Sequence, residues 1–305
     1  MIAIVAPGQG SQTPGMLTPW LDLPGAESTV RWMSTLTGLD LLRLGTTAEA
    51  EEIKDTAITQ PLVVSLALLA YQHLEIPDGA QPVIAGHSVG ELAAASIAGA
   101  LDRDTAIALA AVRGSAMAAA CGQADTSMAA VIGGDPDDVQ AKIASLDLTP
   151  ANVNGGGQTV AAGRADAIAA LVADPPTKAR VVPLSVAGAF HTSYMQPALD
   201  IMGAMRDGIL TAAPTLPLLS NADGTQVTDG EDYLDRLVRQ IVSPVRWDLC
   251  METMLSLGVT TLIELPPAGA LTGLARRGMK GVKTLAIKSP DDLDKAKSLI
   301  NDDGN

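Results

Sequence analysis

Short apolar runs alternate with longer segments rich in alanine and leucine along most of the chain. The short runs are bounded by glycine or proline and have the length of buried strands, whereas the longer segments have the length of helices. Strands are predicted at residues 2–6, 82–86, 179–186, 216–220 and 260–265. Helices are predicted at residues 61–74, 89–99, 103–120, 193–211, 231–241 and 247–257. This alternation predicts an α/β fold with a largely parallel sheet.

The middle of the chain has a different pattern of predicted elements, with more strands for each helix. Strands predicted at 127–133, 149–153, 158–163 and 179–186 alternate with helices at 135–146 and 164–173. The order βαββαβ is typical of a ferredoxin-like unit, and Asn154–Gly157 is typical of its hairpin turn. We expect residues 125–187 to form this small subdomain, inserted into a large α/β domain built from residues 1–124 and 188–305. The acidic end, residues 301–305, is expected to be frayed.

The most apolar later stretch, Leu62 to Leu74, contains polar residues and is shorter than the ~20 residues that a membrane span needs. It is predicted to be a buried helix with Thr59 as its cap and Pro61 in its first turn. The N-terminal run, Met1 to Pro7, has no basic segment and is too short for a signal peptide. We therefore expect no membrane association and a cytoplasmic location.

Charge and composition narrow the possible partners. The formal net charge of −14 disfavours non-specific binding to nucleic acid or anionic lipid. Aromatic residues are only 2% of the chain, so alanine, valine, leucine and isoleucine must fill the core. Cys121 and Cys250 lie in apolar, helix-like surroundings and are expected to be small buried hydrophobes. No paired histidine or cysteine spacing predicts a metal site.

The strongest chemical motif is Gly-His-Ser-Val-Gly at residues 86–90, which follows an apolar strand and precedes a helical run. This is the setting that a nucleophile elbow of the α/β-hydrolase type requires, and it makes the large domain α/β-hydrolase-like. The tight turn exposes the Ser88 hydroxyl at a helix N-terminus, where amide groups favour developing negative charge. The alternative is an ordinary glycine-rich turn between a strand and a helix.

A serine nucleophile needs a base, and the chain has three histidines. His73 lies on the apolar helix and is expected to be structural. His87 adjoins Ser88 inside the turn, in a poor direction to take its proton. His191 ends an apolar run and precedes a helix-start signal, where α/β sites often assemble. A lone histidine there is often structural, but His191 is the remaining candidate for the base.

Two further features are candidates for binding an anion. Arg113 interrupts an alanine-rich helix and is either a surface arginine or a bidentate clamp for a substrate carboxylate. The loop Pro7–Gln12 contains Gly-Gln-Gly, but Thr13 breaks the dinucleotide fingerprint. We interpret this loop as a source of backbone N–H groups for an oxyanion.

Taken in order, these motifs resemble those of malonyl-CoA:acyl carrier protein transacylases, most closely the actinobacterial enzymes of fatty-acid synthesis. The resemblance runs from residue 1 to about residue 290. It is carried by Gly-Gln-Gly-Ser-Gln at 8–12, Gly-His-Ser-Val-Gly-Glu at 86–91, Arg113, Gly-Ala-Phe-His-Thr at 188–192, and Gln240 ahead of Pro-Val-Arg-Trp at 244–247.

The resemblance implies a role for each matching residue. Ser88 would carry a malonyl ester, and His191 would take and return the proton. The backbone carbonyl of Gln240 would orient the histidine, in place of the carboxylate of a triad. The backbone N–H groups of Gln9 and Val89 would form the oxyanion hole.

The resemblance also assigns the acyl pocket. Arg113 would hold the malonate carboxylate, and Asn154 matches a polar residue contributed by the small subdomain. Phe190 matches malonyl-selective relatives, whereas methylmalonyl-selective domains usually carry serine there. Met117 is a further candidate for the pocket.

The implied partners are malonyl-CoA as a substrate and a phosphopantetheinylated acyl carrier protein, with no permanently bound cofactor and a monomeric enzyme. Both partners are anionic, so local positive charge must offset the acidic chain. A basic cluster late in the chain is either a docking patch or a solvated face: Arg276, Arg277, Lys280, Lys283 and Lys288.

Two other classes of protein share part of the pattern. A serine esterase or thioesterase of the α/β-hydrolase type has the same elbow, but its histidine usually lies near the C-terminus. Roughly a third of this chain follows His191. A non-catalytic module that binds acyl groups has no reason to keep Ser88, His191 and Arg113 together.

Overall fold

The computed structural model describes residues 1–77 and 79–303, with side chains as far as residue 301. In chain order its strands are β1 (Ile2–Ala6), β2 (Val83–Gly86), β3 (Thr126–Gly133), β4 (Thr149–Gly155), β5 (Gln158–Arg164), β6 (Ala179–Pro183), β7 (Leu218–Leu219), β8 (Gln226–Val227), β9 (Val245–Arg246), β10 (Thr261–Glu264) and β11 (Lys283–Ala286). Its helices are α1 (Ala26–Thr37), α2 (Leu41–Thr46), α3 (Thr56–Gln72), α4 (Gly90–Ile97), α5 (Arg103–Cys121), α6 (Pro136–Ser145), α7 (Ala165–Ala173), α8 (Gln196–Met205), α9 (Gly230–Gln240), α10 (Trp247–Ser256), α11 (Ala270–Gly278) and α12 (Leu293–Asp303).

The larger sheet has the strand order β11-β10-β1-β2-β7-β8, and every pair in it is parallel except β7 with β8. Residues Ile2–Ala6 and Val83–Gly86 are buried throughout, as expected for strands covered by helices on both faces. The predicted α/β fold with a parallel-sheet core is confirmed. Ala6 pairs with Gly86, so the loops after β1 and β2 leave the sheet side by side at its carboxyl edge.

The smaller sheet has the order β6-β3-β5-β4-β9; its first four strands are antiparallel to one another, and β4 and β9 are parallel. With α6 and α7 these strands complete the predicted βαββαβ unit, and Gly156 and Gly157 form the hairpin turn. We propose that residues 125–187 are the inserted subdomain. Its separate apolar cluster supports this division. The subdomain is tied to the rest of the chain by β9, which pairs with β4 at Asn152 and Val245.

Helix α3 begins earlier than predicted. Its cap is the Asp55 carboxylate, which accepts a hydrogen bond from the Ala57 N–H at 2.8 Å. Thr59 is buried inside the helix, and its hydroxyl donates to the Ile53 carbonyl at 2.5 Å. Pro61 is also interior rather than in the first turn. Because the Pro61 ring has no N–H, only the backbone carbonyl four residues before it loses its helical hydrogen bond. The Asp55 cap therefore determines where the helix begins.

Several other predicted boundaries were wrong. The strand predicted at 179–186 ends at Pro183, and the helix predicted at 193–211 is divided into 3-10 turns around α8. The expected frayed end is helical to Asp303, while residues 304 and 305 lie outside the described part of the chain. Both cysteines are free thiols, with Cys250 buried and Cys121 half-buried. Among the described residues, no helix has both the length and the apolarity to cross a membrane.

Strand β2 approaches helix α4 so closely that only glycine fits at its last position. A Cβ on Gly86 would lie 2.1 Å from the Gly90 backbone. Gly86→Ala should therefore lower the free energy of unfolding by about 1–3 kcal/mol or more, because the backbone must shift. Urea unfolding monitored by circular dichroism measures this.

The matched control for that variant is Gly203→Ala in α8. A Cβ there has nothing within 4 Å, so the change should be neutral or stabilising by up to about 1 kcal/mol. Equal stability of the two variants would contradict the close approach of β2 and α4.

Candidate active site

Ser88 lies in the predicted elbow, between the end of β2 and the start of α4. Its φ is 53°, a left-handed conformation that is strained for a residue with a side chain. Two hydrogen bonds hold this conformation: the Ser88 N–H donates to Asn221 Oδ1 at 2.8 Å, and the Ser88 carbonyl accepts from the Glu91 N–H at 3.0 Å. The turn presents the hydroxyl at the carboxyl edge of the parallel sheet.

His191 is buried and lies beside that hydroxyl. The Ser88 Oγ is 2.8 Å from His191 Nε2, and His191 Nδ1 is 2.8 Å from the backbone carbonyl of Gln240. A carbonyl oxygen only accepts, so Nδ1 carries the proton and Nε2 is free to accept from the serine. This assigns the tautomer that a general base requires.

The route of the chain to His191 differs from the predicted one. The preceding strand, β6, belongs to the smaller antiparallel sheet and ends at Pro183, so His191 does not end a strand of the parallel sheet. It lies in the loop that returns from the subdomain, with φ 60°. The Thr192 hydroxyl fixes this loop by donating to the Ala189 carbonyl at 2.7 Å.

The electrostatic environment keeps His191 neutral. Burial lowers its pKa to about 3, and the positive charge of Arg113 adds to that effect, whereas the hydrogen bond to Gln240 opposes it. The imidazole is therefore in its basic form at every pH near neutrality. Any imidazolium formed during a reaction would be unstable and would give up its proton quickly.

Arg113 is buried, with 3% of its surface exposed, which excludes the surface alternative. Its Nη1 donates to Gln60 Oε1 at 2.7 Å, and its Nη2 donates to Gln240 Oε1 at 3.1 Å. The same Nη2 is 3.5 Å from Ser88 Oγ. Burial lowers its pKa to about 10, so it remains a cation at neutral pH. These hydrogen-bond partners are uncharged, so the guanidinium retains its attraction for an anion next to the serine.

A cavity of about 570 Å³ opens over Ser88 and His191. Its wall contains four of the other predicted residues, Gln9, Met117, Asn154 and Phe190. Three other predicted residues are packed behind this wall: Arg113, Val89 and Gln240. They are connected to the cavity through Ser88, His191 and Gln60. The Gln9 side chain is anchored by a hydrogen bond from its Nε2 to Thr56 Oγ1 at 3.1 Å.

The small subdomain contacts the elbow through Asn154. Its Nδ2 donates to Gln158 Oε1 at 2.9 Å, so its Oδ1 is the acceptor for His87 Nε2 at 2.8 Å. His87 also packs edge-on against Trp247, with ring centroids 5.7 Å apart. Its imidazole is thus directed at the subdomain and away from the Ser88 hydroxyl, which leaves His191 as the base candidate.

Sequence reasoning missed a buried polar network behind Gln240. Gln240 Nε2 donates to Glu91 Oε2 and, at 3.3 Å, to Asn221 Oδ1. The Asn221 N–H donates to Glu91 Oε1 at 2.7 Å, and its Nδ2 donates to the Gly86 carbonyl at 2.7 Å. Glu91 follows the elbow within the quoted motif, which was a usable signal. Asn221 has no local pattern that would have revealed it.

Comparison with known proteins identifies the family of this chain. The acyl transferase domain family matches residues 4–294. The chain belongs to this family. The malonyl CoA-acyl carrier protein transacylase of Mycobacterium tuberculosis is 54% identical over 302 residues, which are 98% of this chain and all of the relative. The protein of that name from Escherichia coli K12 is 34% identical over 305 residues, covering 97% of this chain and 99% of the relative.

Solved structures show the same similarity. The crystal structure of MCAT from Mycobacterium tuberculosis has a TM-score of 0.95 at 54% identity and covers 97% of this chain and 99% of its own. A malonyl-transacylase in complex with its type II PKS acyl-carrier protein has a TM-score of 0.90 at 31% identity, covering 98% and 99%. The predicted family and fold are confirmed, and the hydrolase alternative is not favoured.

The environment of His191 in this acyl transferase predicts an unusual pH profile. Because its pKa is about 3, the reactivity of Ser88 toward an uncharged fluorophosphonate should stay level from pH 8 to about 5 and fall only in stronger acid. In Arg113→Gln the lost positive charge should raise the His191 pKa, so that the fall begins at higher pH. Labelling rates measured by mass spectrometry test this.

The control for this experiment is Arg103→Gln, an exposed arginine on the same helix, which should leave the profile unchanged. A wild-type decline centred near the ordinary histidine pKa of about 6.5 would contradict the role of burial.

Proposed function

We propose that this acyl transferase moves malonyl from malonyl-CoA to the phosphopantetheine thiol of an acyl carrier protein, and so feeds fatty-acid synthesis. The observation that carries the proposal is the Ser88–His191 hydrogen bond of 2.8 Å beside a buried arginine. The two ends of the pair supply nucleophile and base, and the arginine supplies selectivity for a carboxylated acyl group. The names of the relatives support this substrate and acceptor.

The first half-reaction forms an acyl-enzyme. Ser88 Oγ attacks the thioester carbonyl while His191 Nε2 takes the hydroxyl proton. The N–H groups of Val89 and Gln9 would stabilise the tetrahedral oxyanion. The intermediate then collapses, the bond between carbon and sulfur breaks, and the departing CoA thiolate takes the proton from His191. Malonyl is left as an ester on Ser88.

The second half-reaction repeats these steps with a new thiol. The phosphopantetheine thiol gives its proton to His191 and attacks the ester carbonyl. The bond to Ser88 Oγ breaks, and the proton returns to that oxygen. The enzyme is regenerated and the malonyl thioester leaves on the carrier protein, so both steps exchange one activated acyl bond for another.

Gln240 would orient the base through its main chain. Its carbonyl accepts from His191 Nδ1 at 2.8 Å, which fixes the ring and its tautomer without adding a negative charge. Arg113 would hold the malonate carboxylate, because its Nη2 lies 3.5 Å from Ser88 Oγ, the atom that would carry the acyl group. Met117 and Phe190 would limit the space around the methylene carbon, and Asn154 would shape the cavity through its contact with His87.

The basic cluster supports the docking of anionic partners. Arg277 lines the cavity, and Arg276, Lys280, Lys283 and Lys288 are exposed on the same segment. We propose that these cations attract the phosphates of CoA and of phosphopantetheine despite the acidic chain. The cytoplasmic location, the monomeric state, the lack of nucleic-acid binding and the lack of a permanent cofactor stay predictions.

The acyl-enzyme can be detected directly. Mixing the protein with malonyl-CoA should add one malonyl group in an intact mass spectrum, and peptide mapping should place it on Ser88. Ser88→Ala should abolish the adduct while the circular dichroism spectrum is unchanged, because only one oxygen is removed. Added carrier protein should discharge the wild-type adduct faster than water does. Malonylation of the Ser88→Ala variant would contradict the proposal. Hydrolysis of the wild-type adduct as fast as its discharge by the carrier protein would also contradict it.

Arg113 should decide which acyl groups are accepted. Truncating one side of a buried charge pair costs about 2–5 kcal/mol, so Arg113→Ala should lose roughly 30- to 4,000-fold in kcat/KM for malonyl-CoA. Acetyl-CoA has no carboxylate, so its transfer should be equal or faster. Arg113→Lys should restore little of the kcat/KM for malonyl-CoA, because lysine offers a point charge and lacks the forked pair of donors of arginine.

Steady-state kinetics with both donors measure this selectivity, with Arg103→Ala on the same helix as the control. An equal fractional loss for malonyl-CoA and acetyl-CoA would show that Arg113 is structural and that the clamp is wrong.

A further inference from the structure

Glu91 is a buried carboxyl group that the two half-reactions leave unused. It lies in the first turn of α4, three residues after Ser88, and only 1% of its surface is exposed. A carboxyl group so placed costs free energy unless its oxygens are hydrogen-bonded. Its position directly behind the catalytic pair therefore calls for a function beyond packing.

Among the described residues, three polar groups are within hydrogen-bond distance of the Glu91 carboxyl, and each can donate to it. The Asn221 N–H donates to Oε1 at 2.7 Å, the Tyr233 hydroxyl donates to Oε1 at 3.4 Å, and Gln240 Nε2 donates to Oε2. Burial raises the pKa of the carboxyl to about 8, while the hydrogen bonds from Asn221 and Tyr233 and the charge of Arg113 oppose that rise. The Gln240 amide nitrogen is thus the donor that faces Glu91 Oε2, whereas Asn221 and Tyr233 face Oε1.

This arrangement determines which way the Gln240 amide points. Its nitrogen faces the Glu91 carboxyl, so its oxygen faces Arg113 Nη2 at 3.1 Å. A flipped amide would place its oxygen against the carboxyl and its N–H groups against the guanidinium, and both contacts would repel. Gln240 therefore connects the Glu91 carboxyl to the Arg113 guanidinium, although these two ionisable side chains do not touch.

We propose that Glu91 is a positioning residue that fixes the Gln240 amide and, through it, holds the Arg113 fork in the orientation that accepts a carboxylated acyl group. The inference rests on the proposed role of Arg113. The main chain of Gln240 holds His191, so this one residue links the base to the carboxylate clamp. Glu91 lies three residues after Ser88 in sequence, so the base and the carboxylate clamp are both connected to the nucleophile.

The first test is Glu91→Gln, which keeps the shape and replaces one oxygen by a donor. That donor must face either Asn221 N–H or Gln240 Nε2, so one donor stays unsatisfied and the Gln240 amide is no longer fixed. We expect kcat/KM for malonyl-CoA to fall roughly 10- to 100-fold, mainly through KM. Acetyl-CoA transfer, which does not use Arg113, should fall much less. Rates are normalised to the reactive Ser88, titrated with a fluorophosphonate.

The second test exchanges the two side chains in Glu91→Gln/Gln240→Glu. The carboxylate at position 240 accepts from an amide at position 91 and from Arg113, while the carbonyl of that amide accepts from Asn221 and Tyr233. Each contact again joins a donor to an acceptor. Acetyl-CoA transfer should therefore be faster than in Glu91→Gln alone. Malonyl-CoA transfer should stay low, because the new carboxylate occupies Arg113.

The control is Glu27→Gln, an exposed acid in the first turn of α1, which should change neither rate. Equal losses for both donors in Glu91→Gln, with no recovery of acetyl transfer in the exchange variant, would overturn the positioning role. A wild-type protein that forms no malonyl adduct would instead overturn the proposed function, so the two failures are distinguishable.

Discussion

The left-handed backbone of Ser88 is the constraint on which the rest of the site depends. It arises because β2 and α4 meet with no room for a side chain at Gly86, so the chain must reverse within a few residues. The strain is compensated by the hydrogen bond from the Ser88 N–H to Asn221 and by the packing of the two elements. The same turn that bends the backbone brings the hydroxyl within 2.8 Å of His191.

Behind this turn, the protein buries a cation and a carboxyl group without joining them directly. Arg113 and Glu91 are separated by the amide of Gln240, which offers its oxygen to one and its nitrogen to the other. A direct ion pair would consume the guanidinium, whereas an intervening amide leaves it able to take a second, anionic partner. Under the proposed function, this arrangement would orient Arg113 for a carboxylate before the substrate arrives, at the cost of desolvating two ionisable groups.

Local patterns were sufficient for the parallel sheet and for the order of the elements between residues 126 and 183, and they singled out Ser88 and His191, which lie 2.8 Å apart. Strands β1 and β2 are short apolar runs bounded by glycine or proline, and the elbow motif lies between a strand and a helix. Helices α1, α11 and α12 were missed because charged and polar residues interrupt any Ala- and Leu-rich run in them, and strand β9 was missed because it is only two residues long. Asn221 could not be found for another reason: three of its hydrogen-bond partners, Gly86, Ser88 and Glu91, are more than a hundred residues earlier in the chain.

The neutral partner of His191 suits exchange between thiols. In a triad with aspartate, a buried carboxylate stabilises the imidazolium that forms as the serine is deprotonated. Here the Gln240 carbonyl brings no charge, and burial and Arg113 both disfavour the imidazolium. In the proposed reaction, His191 would thus hold the proton only weakly. A thiolate leaving group, with an ordinary pKa near 8.5, needs less help from an acid than an amine or an alcohol does. Because both half-reactions use thiols, a weakly held proton can serve each direction of a reversible transfer.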